Sequence, residues 1–275
     1  VSQPRRLVLL GHPVAHSLSP RFQQAALDHL GIPLRYEALD VAPDTLRATL
    51  ERLGEEGAAG NITVPHKQAA MACCDVLTPL AERVAAVNTF WSDADGRLHG
   101  DNTDVGGFEA ALSSLLERDL TGLRVLLLGA GGAALAVREA VRGWEGAALR
   151  VHARRPEQAR SFIAPLGARA QAVTDAELLN REVLDAVDVV VNATPLGLHP
   201  DDAFPFPPEA LHPHTAVLDL VYGRAVPTRW VSACRARGLA ADDGLRMLVE
   251  QGALAFERWF GLPAPRQVML DAIRR

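Results

Sequence analysis

The chain predicts an α/β fold in two domains, the first with a mixed, mainly parallel sheet and the second wholly parallel. Three observations predict it. Strand-like and helix-like segments alternate along the 275 residues, a hairpin signal interrupts that alternation only within the first hundred, and a glycine-rich turn follows the most apolar run of all. The length suits two domains of ordinary size. Apolar residues make up 48% and charged residues 22% of the chain, which excludes disordered and low-complexity classes.

In order, residues 6–11 read as a buried strand, 20–30 as a helix closed by Gly31, and 34–40 as a second strand. Residues 43–53 repeat apolar positions at helical spacing, with Pro43 in the first turn and Gly54 just past the end. Residues 58–64 form a third strand, stopped by Pro65. Residues 87–91 and 97–100 flank Ser-Asp-Ala-Asp-Gly, the signal of a hairpin turn. After Asp104 a helical stretch leads into 123–128, an unbroken apolar run expected of a strand buried on both faces. A helix from Ala133, a strand at 148–153, a helix from Pro156 and strands at 187–192 and 216–220 follow, then closing helices at 245–259 and 264–273. Repeated β-α units imply right-handed crossovers. The domain boundary is expected near Asp104, so that residues 1–104 and 244–275 form one domain and 105–243 the other.

The net charge of −5, with both signs interspersed, leaves no basic field for nucleic acid or an anionic membrane. No apolar run reaches membrane-spanning length, and Arg5-Arg6 before four apolar residues makes no signal-peptide core, so the expected location is the cytoplasm. Cys73, Cys74 and Cys234 are spaced for neither a disulfide framework nor a metal, and His12, His16 and His66 give no ligand set. Of 28 basic residues all but one are arginine, and the exception is Lys67. An amine can shift its pKa and hand over a proton where a guanidinium cannot. Coding bias explains the arginines, so the position of Lys67 must decide whether it does chemistry.

Gly129-Ala130-Gly131-Gly132-Ala133 sits between the apolar strand and a helix, where small residues let backbone approach a pyrophosphate drawn to the helix N-terminus. This is the context of a Rossmann-type dinucleotide site. The next strand ends His152-Ala153-Arg154-Arg155-Pro156. A carboxylate there would accept from a ribose 2′-hydroxyl, whereas arginine pairs with a 2′-phosphate, so the sequence favours NADP over NAD. Arg155 equally suits a solvated strand cap.

Four motifs of the first domain lie where strands end: residues 11–20 (Gly-His-Pro-Val-Ala-His-Ser-Leu-Ser-Pro), 61–67 (Asn-Ile-Thr-Val-Pro-His-Lys), 86–89 (Ala-Val-Asn-Thr) and 100–104 (Gly-Asp-Asn-Thr-Asp). Ser17 and Ser19 can cap the helix at Pro20 as well as hold a carboxylate. In these motifs, and in Asp243-Gly244-Leu245, Met247-Leu248-Val249 and Gln251 near the end, the sequence resembles the shikimate dehydrogenase family over nearly its whole length.

The resemblance implies NADP-dependent interconversion of shikimate and 3-dehydroshikimate, a step of aromatic amino-acid biosynthesis; the sequence does not choose between a monomer and a homodimer. It makes the first domain the substrate domain and the second the NADP domain. Lys67 and Asp104 would form the catalytic pair, Lys67 exchanging the proton and Asp104 orienting it. Ser17, Ser19 and Tyr222 would hold the substrate carboxylate, and Thr63, Asn88, Asn102 and Gln251 the ring hydroxyls. Gly129, Ala130, Gly131, Gly132, Ala133, Arg154, Arg155, Asn192, Thr194 and Gly244 would hold the cofactor. The chain departs from the family pattern at Ala153 and Arg155, at Pro195 and Leu198, and after Tyr222. Three other readings stay open at this stage: a quinate/shikimate dehydrogenase with relaxed cofactor use, a dehydrogenase of another small carbonyl compound, and a silent dinucleotide-binding regulator.

Overall fold

The computed structural model describes residues 3–223 and 226–274 and divides into two compact units, Val1–Gly107 with Leu248–Arg275, and Phe108–Met247. The first unit opens with strand β1 (Arg6–Gly11), helix α1 (Ser19–His29), β2 (Tyr36–Asp40), α2 (Leu46–Glu55, entered through a short 3-10 turn at Pro43–Thr45) and β3 (Ala58–Ile62). It continues with β4 (Val76–Leu77), α3 (Pro79–Val84), β5 (Thr89–Ser92) and β6 (Leu98–Asp101), and α4 (Asp104–Leu116) leads the chain onward. The second unit holds β7 (Arg124–Leu128), α5 (Gly132–Gly143), β8 (Ala148–His152), α6 (Pro156–Ile163), β9 (Ala170–Val173), the single-turn α7 (Asp175–Leu178) and α8 (Arg181–Leu184), β10 (Val189–Asn192), β11 (Ala216–Asp219), α9 (Arg229–Ala236) and β12 (Ala241–Asp242). Helix α10 (Leu245–Phe260) returns the chain to the first unit, which α11 (Arg266–Arg274) closes against α1.

The first sheet has the order β2-β1-β3-β5-β6-β4, and only β5 runs against its neighbours. The single reversal follows from the 89–101 hairpin, since a short turn can join only antiparallel strands. The second sheet, β12-β11-β10-β7-β8-β9, is parallel throughout. Counted from β7 as the first strand, it has the 3-2-1-4-5-6 order of a Rossmann fold, with its switch point between β7 and β10.

Parallel strands need both faces covered, and Val125–Leu128 and Val189–Asn192 are accordingly buried along their length. One side of this sheet is filled by Leu126, Val190, Val217, Phe206, Trp230 and Cys234. In the first unit Val8, Leu10, Ile62 and Phe90 of the sheet pack on Leu46, Leu50 and Leu53 of α2. No helix among the described residues is long and apolar enough to cross a membrane, and no group of three His, Cys, Asp or Glu side chains could hold a metal.

Candidate active site

The first unit brings together the ends of β3 and β6, the entry to β5 and one face of α10. Lys67 lies in the loop after β3, its carbonyl accepting from the Val87 N–H at 2.8 Å, which ties that loop to the entry of β5. Asp104 is the first residue of α4. Its N–H donates to Asn102 Oδ1 at 3.0 Å, so the Asn102 side chain caps the helix, while Asn102 Nδ2 donates to the Ala86 carbonyl at 2.9 Å. With the amide committed at both ends, Asn102 shapes the backbone around Asp104.

Lys67 Nζ stands 2.8 Å from Asp104 Oδ2, with side-chain exposures of 28% and 13%. The pair is therefore reachable from solvent yet largely desolvated, which strengthens a charged contact. The other carboxylate oxygen, Asp104 Oδ1, accepts from Asn88 Nδ2 at 2.9 Å. Asn88 Nδ2 also faces Gln251 Oε1 at 3.1 Å and Thr103 Oγ1 at 2.9 Å. The Thr103 N–H donates to Asn88 Oδ1 at 2.7 Å, which fixes the amide so that its NH2 end faces Asp104. The sequence reading passed over Thr103, although it sits inside the Asn-Thr-Asp motif.

Ser17 Oγ accepts from the Ser19 N–H at 3.2 Å at the start of α1. Among the described residues, the hydroxyls of Ser19 and Thr63 have no protein partner, leaving both for a ligand. Gly11 leaves Thr63 its room, since a Cβ at position 11 would lie 2.5 Å from Thr63 Cγ2. His66 is buried and its Nε2 pairs with the Val41 carbonyl at 2.7 Å, a structural role. Tyr222 belongs to the second unit, and the altered loop after it includes Arg224 and Ala225, which lie outside the described residues. A separate cavity of about 630 Å³, lined by Thr78, Arg83, Asp101, Leu254 and Arg258 among others, takes in Asn102 but neither Lys67 nor Asp104.

In the second unit, Gly129 turns at φ +100°, and a Cβ there would lie 2.9 Å from the Ala193 carbonyl oxygen. Only glycine lets the β7 and β10 loops meet at the switch point. Cβ atoms at Gly131 and Gly132 would point into open space, and residues 131–133 are exposed at the unshielded N-terminus of α5. Arg154 makes no hydrogen bond or ion pair among the described residues. Small exposed residues, free helix N–H groups and an unpaired guanidinium are the donor set that a dinucleotide with a 2′-phosphate requires. Arg155 is tied up differently: its Nη2 donates to Gln158 Oε1 at 3.3 Å, and Gln158 Nε2 donates to the Ala130 carbonyl at 3.1 Å.

Asn192 is consumed by its own loop. Its Nδ2 donates to the Leu196 carbonyl at 3.0 Å and to Asp219 Oδ1 at 2.8 Å, and its Oδ1 accepts from Thr194 Oγ1 at 2.7 Å. Asp219, fully buried, also accepts from Thr228 Oγ1 at 2.8 Å, joining the loops after β10 and β11 to the start of α9. Burial raises its carboxyl to about 6, against the pull of those hydrogen bonds, and buried Asp243 is raised for the same reason. The signal in the sequence was a lone acid inside the apolar run at 216–221. Gly244 presses on the Leu220 carbonyl oxygen, which a Cβ would approach to 2.4 Å.

Comparison with known proteins decides the family. The shikimate dehydrogenase substrate binding domain model matches residues 9–90, and the shikimate 5'-dehydrogenase C-terminal domain model matches residues 244–274. A shikimate dehydrogenase (NADP(+)) of Symbiobacterium thermophilum is 42% identical, covering 98% of this chain and 93% of that protein. The chain belongs to the shikimate dehydrogenase family. Among solved structures, shikimate 5-dehydrogenase of Thermus thermophilus in complex with NADP(H) and shikimate is 40% identical with a TM-score of 0.86, covering 98% of both chains. Quinate dehydrogenase of Corynebacterium glutamicum in complex with NAD is 28% identical with a TM-score of 0.88, also covering 98% of both. The shikimate dehydrogenase relatives thus match nearly the whole length of this chain, both units included.

Proposed function

We propose that this protein interconverts shikimate and 3-dehydroshikimate with NADP as the hydride carrier. The observation that carries the reading is the 2.8 Å contact between the only lysine of the chain and Asp104, inside a ring of neutral amides and hydroxyls. A substrate with several hydroxyls needs such a ring, because each buried hydroxyl must find a partner. Its close similarity to NADP-named relatives supports the cofactor, as does Arg154 at the strand end.

Residues 1–104 and 244–275 act as the substrate domain in this reading, and 105–243 as the NADP domain. Bound NADP supplies the hydride acceptor or donor for the carbon that bears the reacting hydroxyl. Lys67, paired with Asp104, gives a proton to the carbonyl oxygen during reduction, and the neutral amine takes it back during oxidation. Asp104 holds Nζ in place and accepts from the substrate hydroxyl. Ser17, Ser19 and the N-terminus of α1 receive the substrate carboxylate. Thr63, Asn88 and Gln251 bond the ring hydroxyls, and Asn102 contributes by capping α4. The Gly129–Ala133 turn receives the pyrophosphate and Arg154 the 2′-phosphate, with Asn192, Thr194 and Gly244 shaping the nicotinamide side and Arg155 supporting the loop through Gln158.

The test crosses shikimate and quinate with NADP and NAD, following absorbance of the reduced cofactor. The expected result is fastest turnover with shikimate and NADP. A preference for quinate with NAD, or binding of NADP with no turnover of either acid, would overturn the reading.

A further inference from the structure

We propose that His152 keeps Arg154 available to the cofactor by holding Asp175, a carboxylate that would otherwise pair with that guanidinium. The proposal rests on the NADP reading and deepens it. β8 and β9 run parallel with His152 level with Val173, and Arg154 and Asp175 each follow two residues further on, at the same end of the sheet. Adjacent strands lie about 4.8 Å apart, well within the reach of an arginine stem. An Asp–Arg pair is therefore a contact open to these two side chains.

The structure shows a different one. Asp175 Oδ1 lies 2.6 Å from His152 Nε2, and Arg154 is free among the described residues. The two partners differ in freedom. The His152 ring is 17% exposed and fixed by the sheet, while the Asp175 side chain is 91% exposed. A carboxylate so exposed takes whichever donor is offered, and the imidazole is the partner built in beside it. Left to itself, Asp175 would bring negative charge to the place where a phosphate must dock, and would offer an unphosphorylated ribose an acceptor for its 2′-hydroxyl. His152 therefore acts as a positioning residue for cofactor choice, working through Asp175. The other basic side chain of the strand end, Arg155, is engaged with Gln158 and does not compete.

The test is calorimetric titration of the full chain at pH 7.5 with two probes, 2′,5′-ADP and 5′-AMP, which differ in the phosphate alone and require no turnover. His152→Phe should weaken 2′,5′-ADP by about threefold or more, the scale of an exposed ion pair, and leave 5′-AMP within about twofold. His152→Gln, whose amide N–H still reaches Asp175, should bind 2′,5′-ADP like wild type, and the double variant His152→Phe, Asp175→Asn should recover wild-type affinity. Asp175→Asn alone should bind 2′,5′-ADP as tightly as wild type or tighter, a result available even if His152→Phe does not fold. Unchanged 2′,5′-ADP affinity in His152→Phe, no recovery in the double variant, or weaker binding in Asp175→Asn would each overturn the proposal. A wild-type protein that binds 2′,5′-ADP no better than 5′-AMP would instead overturn the NADP reading itself.

Discussion

Asn88 offers one NH2 group to three acceptors, Asp104, Gln251 and Thr103, and its two hydrogens cannot satisfy all three at once. A substrate hydroxyl entering this ring can relieve the competition by donating to one of them. Asn88→Asp would set a second carboxylate against Asp104 and leave Thr103 N–H bonded but the lysine mispositioned. It is expected to lower kcat/KM for shikimate by about 100-fold, the scale of a misplaced reacting group. A loss under about threefold in the steady-state assay would contradict the positioning role. Asp219 makes a prediction about pH. Its folded value of about 6 lies above the ordinary 3.8, so between those values the folded chain holds a proton that the unfolded chain has lost. Stability therefore falls as pH rises through that window, and the cost of the buried charge is fully present above it. Asp219→Asn removes the titration, so its stability relative to wild type should improve from pH 4 to pH 7 by up to about 3 kcal/mol, read from urea unfolding at both pH values. A difference independent of pH would show that Asp219 stays charged at no cost.

Gly107 sets the distance between α4 and α10. A Cβ there would lie 2.7 Å from Gln251 Cβ and 2.8 Å from its backbone nitrogen, atoms that cannot swing aside. Gly107→Ala should push α10 away, separate Gln251 from Asn88, raise KM for shikimate and cost about 1–3 kcal/mol of stability. Unchanged KM and urea midpoint would show that the helices do not need this approach. The larger elements were legible in the sequence because their apolar periods are long: residues 6–11 and 245–259 match β1 and α10 to within a residue. The missed ones lack such a period. β4 and β12 have two residues each and exist through pairing with β6 and β11. β9 is Ala-Gln-Ala-Val, and α7 and α8 are single turns fixed by caps at Thr174 and Asn180. α9 was legible in principle, since Trp230, Val231 and Cys234 share a helical face and Thr228 caps its start.

For the whole molecule, the motifs that named the family are each contiguous in sequence, which is why Lys67 and Asp104 could be picked before any geometry was known. What sequence could not supply was the use each polar atom is put to. Asn102 and Asn192 look like ligand groups in the motifs, yet their amides are engaged by neighbouring backbone and side chains. Thr103, Gln158 and Asp219 took on their roles only as the partners of others. The arginine-rich composition has a practical consequence, because Lys67 carries the only ε-amine and is 28% exposed. Acetylation of the folded protein should inactivate it in step with modification of this one side chain, and shikimate should protect it. Full activity in protein shown by mass spectrometry to be acetylated at Lys67 would contradict the assigned chemistry. The most direct measurement compares binding with turnover in Lys67→Ala. The account predicts a shikimate dissociation constant within about tenfold of wild type and a kcat lower by 100-fold or more, in the range of a lost general acid. A variant that turns over shikimate at the wild-type rate would contradict it.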